Sequence, residues 1–412
     1  MGSRTPKFRC RARAAALSSR DHGETPKLRA LCEPIAFHAG ARVLRDDALV
    51  HGQHRLVQRV RRRGLANPIG NHAGYSSRMR FAKTLLKTLP RAVQRRLRDR
   101  LEDMRRWRPA RHRGLEQFGL AGTQVYPEGT NFDDCVRVGI ARQLEGLSIR
   151  RDTPVASIGS CFADEFASHM RDAGFNYVAA ESDAFPASAN WGRVYTIPCL
   201  RQIVMYSTAE DFAVPIEHSP DGWFDPLREP AIGHFPTYEQ AEAAIRSHRA
   251  ASRRAFADAR VLIITLGQNE AWMDHQSGLA WARRPPKAML EADGGRFAAR
   301  AFSFEEDVGW LEDSLTRLRQ LNKALDIVLT VSPVASYATF CGDDAVTQSF
   351  AGKCVLRAVA ERMTRSVPRA WYFPAFEMAL AYNPYTLNAD NRHVKNATVD
   401  RIFTLLHQTV VR

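Results

Sequence analysis

From about residue 150 onward, short β-rich runs alternate with segments of helical periodicity, and this alternation restricts the fold more than any other feature. Such a pattern is typical of a parallel sheet with helices on both faces. The predicted strands are 153–159, 175–179, 261–266, 326–331 and 370–373. The predicted helices are 161–173, 196–208, 238–258, 304–324, 346–366 and 394–409. Small hairpins are expected at 223–230 and 272–281, where they are inserted at strand ends.

The positive charge of the chain belongs to its N-terminal part. Residues 1–113 hold 29 Lys and Arg against 8 Asp and Glu, whereas the rest holds 30 against 36. The net charge of +15 therefore does not describe the part that carries the α/β pattern. A nucleic-acid-binding surface on that part is not indicated by its charge.

The N-terminal part divides into two predicted segments. Residues 1–75 sustain neither a helical nor a strand period, so we expect a disordered basic leader. Residues 76–125 form a basic helical segment, since 79–108 keep an apolar helical spacing that Pro90 interrupts. Its Arg-rich face suits an anionic membrane surface or nucleic acid, and its apolar face suits packing on the body or on a protein partner. Aromatic residues do not interleave with the arginines, which disfavours nucleic acid.

The cysteines and the hydropathy limit the remaining classes. Seven widely spread cysteines with no C-x-x-C pair argue against a disulfide framework and a structural zinc site. No run approaches 18 apolar residues, and the first 20 residues lack the apolar core of a secretory signal. We therefore expect a cytoplasmic protein in which the cysteines are reduced.

Four polar clusters follow predicted strands or lie near the C-terminus. Ser160 follows the first strand, "GQNEAW" at 267–272 follows the third, "SPVASYAT" at 332–339 follows the fourth, and "DNRH" at 390–393 comes last. Ligands of open α/β sheets bind beyond the carboxyl ends of the strands, so these clusters are expected to meet.

Together these clusters contain the groups that nucleophilic acyl chemistry needs. A serine such as Ser160 becomes a nucleophile when an imidazole, here His393, takes its proton. Asp390, three residues before His393, is placed to fix the imidazole tautomer. We expect Ser160 Oγ and His393 Nε2 within about 2.6–3.2 Å, or somewhat looser in an empty site.

The developing oxyanion needs hydrogen-bond donors, and three are expected. The Ser160 N–H lies at a predicted helix N-terminus, where backbone N–H groups point outward. The N–H of Gly192 and the side-chain amide of Asn269 are the second and third candidates.

Each of these residues also has a structural interpretation. Ser160 is placed to cap a helix, Asn269 to cap a turn, and His393 to begin a helix. Cys161 is a rival nucleophile, because a thiol at a helix start has a lowered pKa, but it equally fits a buried packing role. No single residue indicates a catalytic site; the ordered set of Ser, Gly, Asn and Asp-x-x-His does.

That ordered set resembles the GSCFA family, which belongs with the SGNH-type hydrolases. The string "GSCFA" at 159–163 is similar to the family's namesake motif. Further blocks resemble the family in the same order: "NWGRVYTIPCLRQ", "ITLGQNEAW", "TVSPV", "KCVLRAV", "WYFPAFE" and "DNRH". The resemblance spans about residues 130–410 and implies a catalytic domain at 126–412.

The resemblance implies a three-layer, flavodoxin-like α/β/α fold and a serine site without metal or cofactor. Ser160 would be the nucleophile, Gly192 and Asn269 would complete the oxyanion hole, and Asp390 and His393 would finish the triad. Gly267, Glu270 and Trp272 match the family's G-x-x-E-x-W block and would line the substrate pocket.

Three functions follow from this site. The first is an O-acyl esterase or deacylase acting on an acylated small molecule, carbohydrate or bacterial polysaccharide. The second is an O-acyltransferase that uses the same serine and passes the acyl group to a sugar hydroxyl. The third is a non-catalytic carbohydrate-binding or assembly module that keeps the fold.

Overall fold

The computed structural model describes residues 132–181, 187–209, 211–213, 216–228, 233–342, 344–381 and 386–410, with Gln124 and Tyr126. The predicted leader at 1–75 and the basic helical segment at 79–108 lie outside these residues. Of the segment 76–125, the structure describes only Gln124.

Nine helices and nine strands follow one another in the described part of the chain. In order they are α1 (Phe132–Gln143), β1 (Val155–Gly159), α2 (Cys161–Asp172), α3 (Ile197–Thr208), β2 (Glu217–Ser219), β3 (Gly222–Phe224), α4 (Tyr238–Asp258), β4 (Val261–Leu266), β5 (Glu270–Asp274), β6 (Ala280–Trp281), α5 (Lys287–Ala292), β7 (Phe297–Ala301), α6 (Phe304–Leu321), β8 (Asp326–Val331), α7 (Ala345–Ser366), β9 (Ala370–Tyr372), α8 (Ala375–Ala381) and α9 (Asn396–Val410).

The central sheet is parallel and has the order β1-β4-β8-β9. A single parallel bridge, between Val155 and Tyr177, adds the segment after α2 to the free edge of β1. Counted along the chain, the spatial order of these five segments is 2-1-3-4-5, which is the flavodoxin-like arrangement. The order reverses between β1 and β4, and a crevice at the carboxyl ends of these strands is the expected binding place.

Each face of the sheet is covered by helices, because the strands alternate their apolar side chains between two cores. In β4, Leu262 and Ile264 pack in the core shared with α3, α4, α6 and α7. Val261 and Ile263 pack in the opposite core with α1, α2, α8 and α9. Strands that are buried on both faces read as continuous apolar runs, which is why "VLIITL" is conspicuous in the sequence.

The fold class is confirmed as a three-layer α/β/α fold, and most predicted elements lie within a few residues of their predicted places. The exception is 175–179, which contributes only the bridge at Tyr177 instead of a strand. The hairpin predicted at 223–230 is formed earlier, by β2 and β3. The one at 272–281 is part of a three-stranded antiparallel sheet with the order β6-β5-β7. Helices α1, α5 and α8 were not predicted.

Candidate active site

Gly159 makes the turn that presents Ser160. Its φ of +145° is outside the range that residues with a side chain adopt, and a Cβ here would lie 2.3 Å from the Thr265 carbonyl oxygen. The chain therefore passes from β1 into α2 against the end of β4 with no space for a side chain. Ser160 is the N-cap of α2, and its Oγ accepts a long hydrogen bond of 3.4 Å from the Phe162 N–H.

A cavity of about 840 Å³ opens at this edge of the sheet, and we call it the Ser160 cavity. Its volume lies in the range of small-molecule sites. The predicted pocket residues Gly267, Glu270 and Trp272 line it, together with Ser160 and His393. The strand-end clusters of the sequence thus meet in one cavity.

His393 lies on a loop that hydrogen bonds of Asp390 and Arg392 hold in place. Its Nδ1 is hydrogen-bonded to Asp390 Oδ2, and the other oxygen of Asp390 accepts the backbone N–H groups of Arg392 and His393. These three hydrogen bonds, with the imidazole contact the largest, hold the pKa of Asp390 well below its usual range. The Arg392 guanidinium donates to the Ala335 carbonyl, which ties this loop to the segment after β8.

Ser160 and His393 line the same cavity, but the expected direct hydrogen bond between them is not formed. In the described part of the chain, the Phe162 N–H is the only hydrogen-bond partner of Ser160 Oγ. The hydrogen bond to Asp390 orients the ring of His393, and the ring makes no hydrogen bond with Ser160. Catalytic hydrogen bonds are often long in empty sites and shorten when the substrate is bound.

Two of the three expected oxyanion donors, the Ser160 N–H and the Asn269 side chain, are hydrogen-bonded elsewhere. The Ser160 N–H donates to the Thr265 carbonyl at 3.2 Å, because the Gly159 turn directs it toward β4. Asn269 donates through Nδ2 to the Phe302 carbonyl at 3.1 Å and is absent from the lining of the Ser160 cavity. Its Oδ1 lies 2.5 Å from the position that a Cβ on Gly352 would take, so the Asn269 side chain is packed against α7.

Two backbone N–H groups near Ser160 have no hydrogen-bond partner among the described residues. One belongs to Gly192, which is buried, has a φ of +71° and, although not itself in the cavity lining, directly precedes the lining residue Arg193. The other belongs to Cys161, the first residue of α2, which itself lines the cavity. The first N–H groups of a helix have no partner within it, and this rule could have identified Cys161 from the sequence.

The rival nucleophile Cys161 is not activated. Burial raises the pKa of its thiol, and this effect exceeds the opposite influence of Arg193 and Lys353. A neutral thiol is a poor nucleophile. Within the cavity, this leaves Ser160 as the better candidate.

A second chain of serine, histidine and carboxylate was not predicted from the sequence. His248 Nδ1 lies 2.6 Å from Glu181 Oε2, and its Nε2 lies 3.4 Å from Ser252 Oγ. Ser252 Oγ also accepts the indole N–H of Trp191 at 2.8 Å. Ser252 is fully buried and does not line the Ser160 cavity, so this chain holds the segment before Gly192 instead of meeting a substrate.

The described residues contain no group of three or more His, Cys, Asp or Glu side chains arranged to hold a metal ion. None of their helices combines the length and the apolar character that crossing a membrane requires.

A sequence model described as the GSCFA family matches residues 154–405, which is more than half of the chain. The chain belongs to the GSCFA family. This agrees with the hydrolase-like α/β fold and with the turn at Gly159 and Ser160, the first two letters of the family motif. No curated protein matches the sequence.

Among solved structures, the GSCFA chain is similar to a family 3 carbohydrate esterase from Clostridium thermocellum. The two share 10% sequence identity, and the TM-score is 0.29. The similarity covers 62% of this chain and 94% of the esterase chain.

Proposed function

We propose that the protein is a serine-dependent O-acyl esterase that acts on an acylated carbohydrate. The observation that carries this proposal is the arrangement of Ser160 and His393 on one cavity, with the His393 ring held by Asp390. Family membership supports the same chemistry.

In this mechanism Ser160 Oγ attacks the ester carbonyl carbon while His393 Nε2 takes the hydroxyl proton. Asp390 stays ionised, accepts the Nδ1–H and stabilises the imidazolium that forms. The tetrahedral intermediate collapses, the sugar oxygen leaves with the proton from His393, and the acyl group remains on Ser160. A water molecule, deprotonated by His393, then releases the acid and restores the serine.

The negative oxygen of the intermediate requires donors without other partners. We assign this role to the N–H groups of Gly192 and Cys161, which have no hydrogen-bond partner among the described residues. Cys161 begins a helix of 12 residues, so the helix dipole adds to the stabilisation of negative charge.

Labelling with a fluorophosphonate probe tests the proposal, because the probe reacts only with an activated serine. We expect one label on the wild-type protein, located at Ser160 by peptide mapping, and none on Ser160→Ala. Ser252→Ala is the matched control, since Ser252 also belongs to a serine–histidine–carboxylate chain but is buried. It should keep the label. An unlabelled wild-type protein that is folded by circular dichroism would contradict the proposal.

A further inference from the structure

Arginines outnumber acidic residues in the lining of the Ser160 cavity. Four arginines contribute to it, Arg193, Arg283, Arg284 and Arg392, against two carboxylates, Glu165 and Glu270. Residues 114–412 contain 36 acidic against 30 basic residues. The cavity lining is therefore more basic than the part of the sequence that contains it.

Part of this charge is already used within the protein. Arg193 pairs with Asp164 at 3.1 Å, and Arg392 donates to the Ala335 carbonyl. Glu270 accepts hydrogen bonds from the Thr339 hydroxyl and the Phe340 N–H, so its carboxylate holds the segment after β8. Arg193, Arg392 and Glu270 therefore stabilise the structure around the cavity through contacts within the protein.

Arg284 is different. Its side chain is exposed, and it makes no hydrogen bond or ion pair with any residue that the structure describes. Its neighbour Arg283 lies over the ring of Tyr195, with the guanidinium carbon 5.2 Å from the ring centroid. A guanidinium at the edge of a cavity is suited to bind a carboxylate or phosphate with two parallel hydrogen bonds.

Of the two tryptophans that line the cavity, Trp272 is the accessible one. Trp272 is partly exposed, whereas its cross-strand partner Trp281 is 3% exposed and packs against Phe224 and Phe297. A partly exposed aromatic ring such as that of Trp272 presents an apolar face to the C–H groups of a sugar.

We propose that the Ser160 cavity selects an O-acylated sugar that also carries an anionic group, either a carboxylate or a phosphate. Arg284 binds the anion, and the sugar ring lies against Trp272. This inference rests on the proposed esterase function, because it places the ester of the same sugar at Ser160.

Three acetylated sugars that differ only at carbon 6 test the inference: acetylated glucose, glucuronic acid and glucose 6-phosphate. We expect the kcat/KM for acetate release to be about 10-fold higher or more for at least one of the two anionic sugars than for glucose, as a charge-assisted hydrogen bond can provide. This preference should decrease as sodium chloride screens the interaction. The two anionic sugars distinguish a carboxylate from a phosphate.

Variants locate the effect. Arg284→Gln should reduce the ratio of anionic to neutral kcat/KM to near 1, and Arg284→Lys should keep part of it. Arg246→Gln is the matched control, because Arg246 is exposed on α4, pairs with Glu242 and does not line the cavity. It should keep the full ratio.

Two outcomes overturn the inference while the esterase function stands. One is turnover of all three sugars by the wild-type protein at equal kcat/KM. The other is a full preference for the anionic sugars in Arg284→Gln, which would show that Arg284 does not bind the anion. Absence of turnover for all three sugars, together with no fluorophosphonate label, would instead reject the esterase function itself.

Discussion

The ammonium group of Lys353 donates a hydrogen bond to the carbonyl oxygen of Gly267. Lys353 lies in α7 and is 4% exposed, and Gly267 directly follows β4. Gly267 in turn lies close to the nucleophile, because a Cβ on it would be 3.1 Å from Ser160 Cβ. A buried lysine in a helix thus fixes the strand end on which Ser160 rests.

Burial gives this lysine a measurable effect on stability. It lowers the pKa of Lys353 to about 7, so between about pH 7 and pH 10.5 the unfolded chain binds a proton that the folded chain does not. The folded state is therefore favoured as pH rises through this window, by about 1.4 kcal/mol per pH unit. Lys353→Met lacks this proton. We expect the unfolding free energy of the wild type to increase relative to that of Lys353→Met between pH 7 and 9.

Urea titrations of both proteins at each pH measure this difference. Lys287→Met is the control, because Lys287 is exposed and pairs with Glu291 on the surface. Parallel stability curves for the wild type and Lys353→Met would show that Lys353 is already protonated in the fold at these pH values.

The pair of Asp390 and His393 predicts two unequal losses of activity. His393→Ala should lower kcat/KM by roughly 10³-fold or more, because members of a triad act as a unit. Asp390→Asn should lose less. An asparagine oxygen can still accept the N–H groups of Arg392 and His393, which keeps the loop in place.

Hydrolysis of an uncharged acetyl ester measures both losses. Asp400→Asn makes the same chemical change on the exposed side of α9 and should retain wild-type kcat/KM. Equal activity of His393→Ala and wild type would remove His393 from the mechanism.

Gly159 predicts a severe steric effect. Alanine at 159 would bring its Cβ to 2.3 Å from Thr265 O in a backbone conformation with positive φ. We expect Gly159→Ala to lower the unfolding free energy by several kcal/mol, of the order of 3 or more. Gly139→Ala is the control, since no atom lies within 4 Å of its added Cβ in α1. It should be neutral or stabilise by up to about 1 kcal/mol. Thermal unfolding of the two variants gives the comparison, and similar midpoints would be inconsistent with the close contact between β1 and β4.

The buried carboxyl group of Asp307 predicts that the stability of the fold decreases as the pH rises. It is fully buried in α6, and neither carboxylate oxygen has a partner among the described residues. Burial raises its pKa to about 7, with a smaller contribution from Glu306. Between about pH 4 and pH 7 the folded state binds the extra proton, so the stability it contributes is lost as pH rises through this window, by about 1.4 kcal/mol per unit.

Asp307→Asn removes this titration. We expect the variant to be more stable than the wild type at pH 8, by roughly 2–4 kcal/mol, and the advantage to shrink toward pH 4. Urea unfolding at pH 4, 6 and 8 measures it. Asp258→Asn, at the exposed end of α4, should show no such dependence. A constant difference across the three pH values would mean that Asp307 has a partner in solution.

Local patterns were sufficient to predict most of the elements. The runs at 261–266 and 326–331 are continuously apolar because these strands are covered on both faces, and the helix after Ser160 begins at a capping residue. The segment 175–179 has the composition of a strand, but it lies at the edge of the sheet and pairs only at Tyr177. The composition of a segment does not determine with how many strands it forms hydrogen bonds.

The sequence by itself determined the α/β alternation, the turn at Gly159 and Ser160, and the short spacing that lets Asp390 bind His393. These depend on periodicity, on backbone freedom and on contacts within a few residues. Only the tertiary structure decided that Asn269 faces α7 and Phe302, that Lys353 supports Gly267, and that four arginines line one cavity. These residues are far apart in the chain, and the direction of each side chain depends on which helix or strand packs against it.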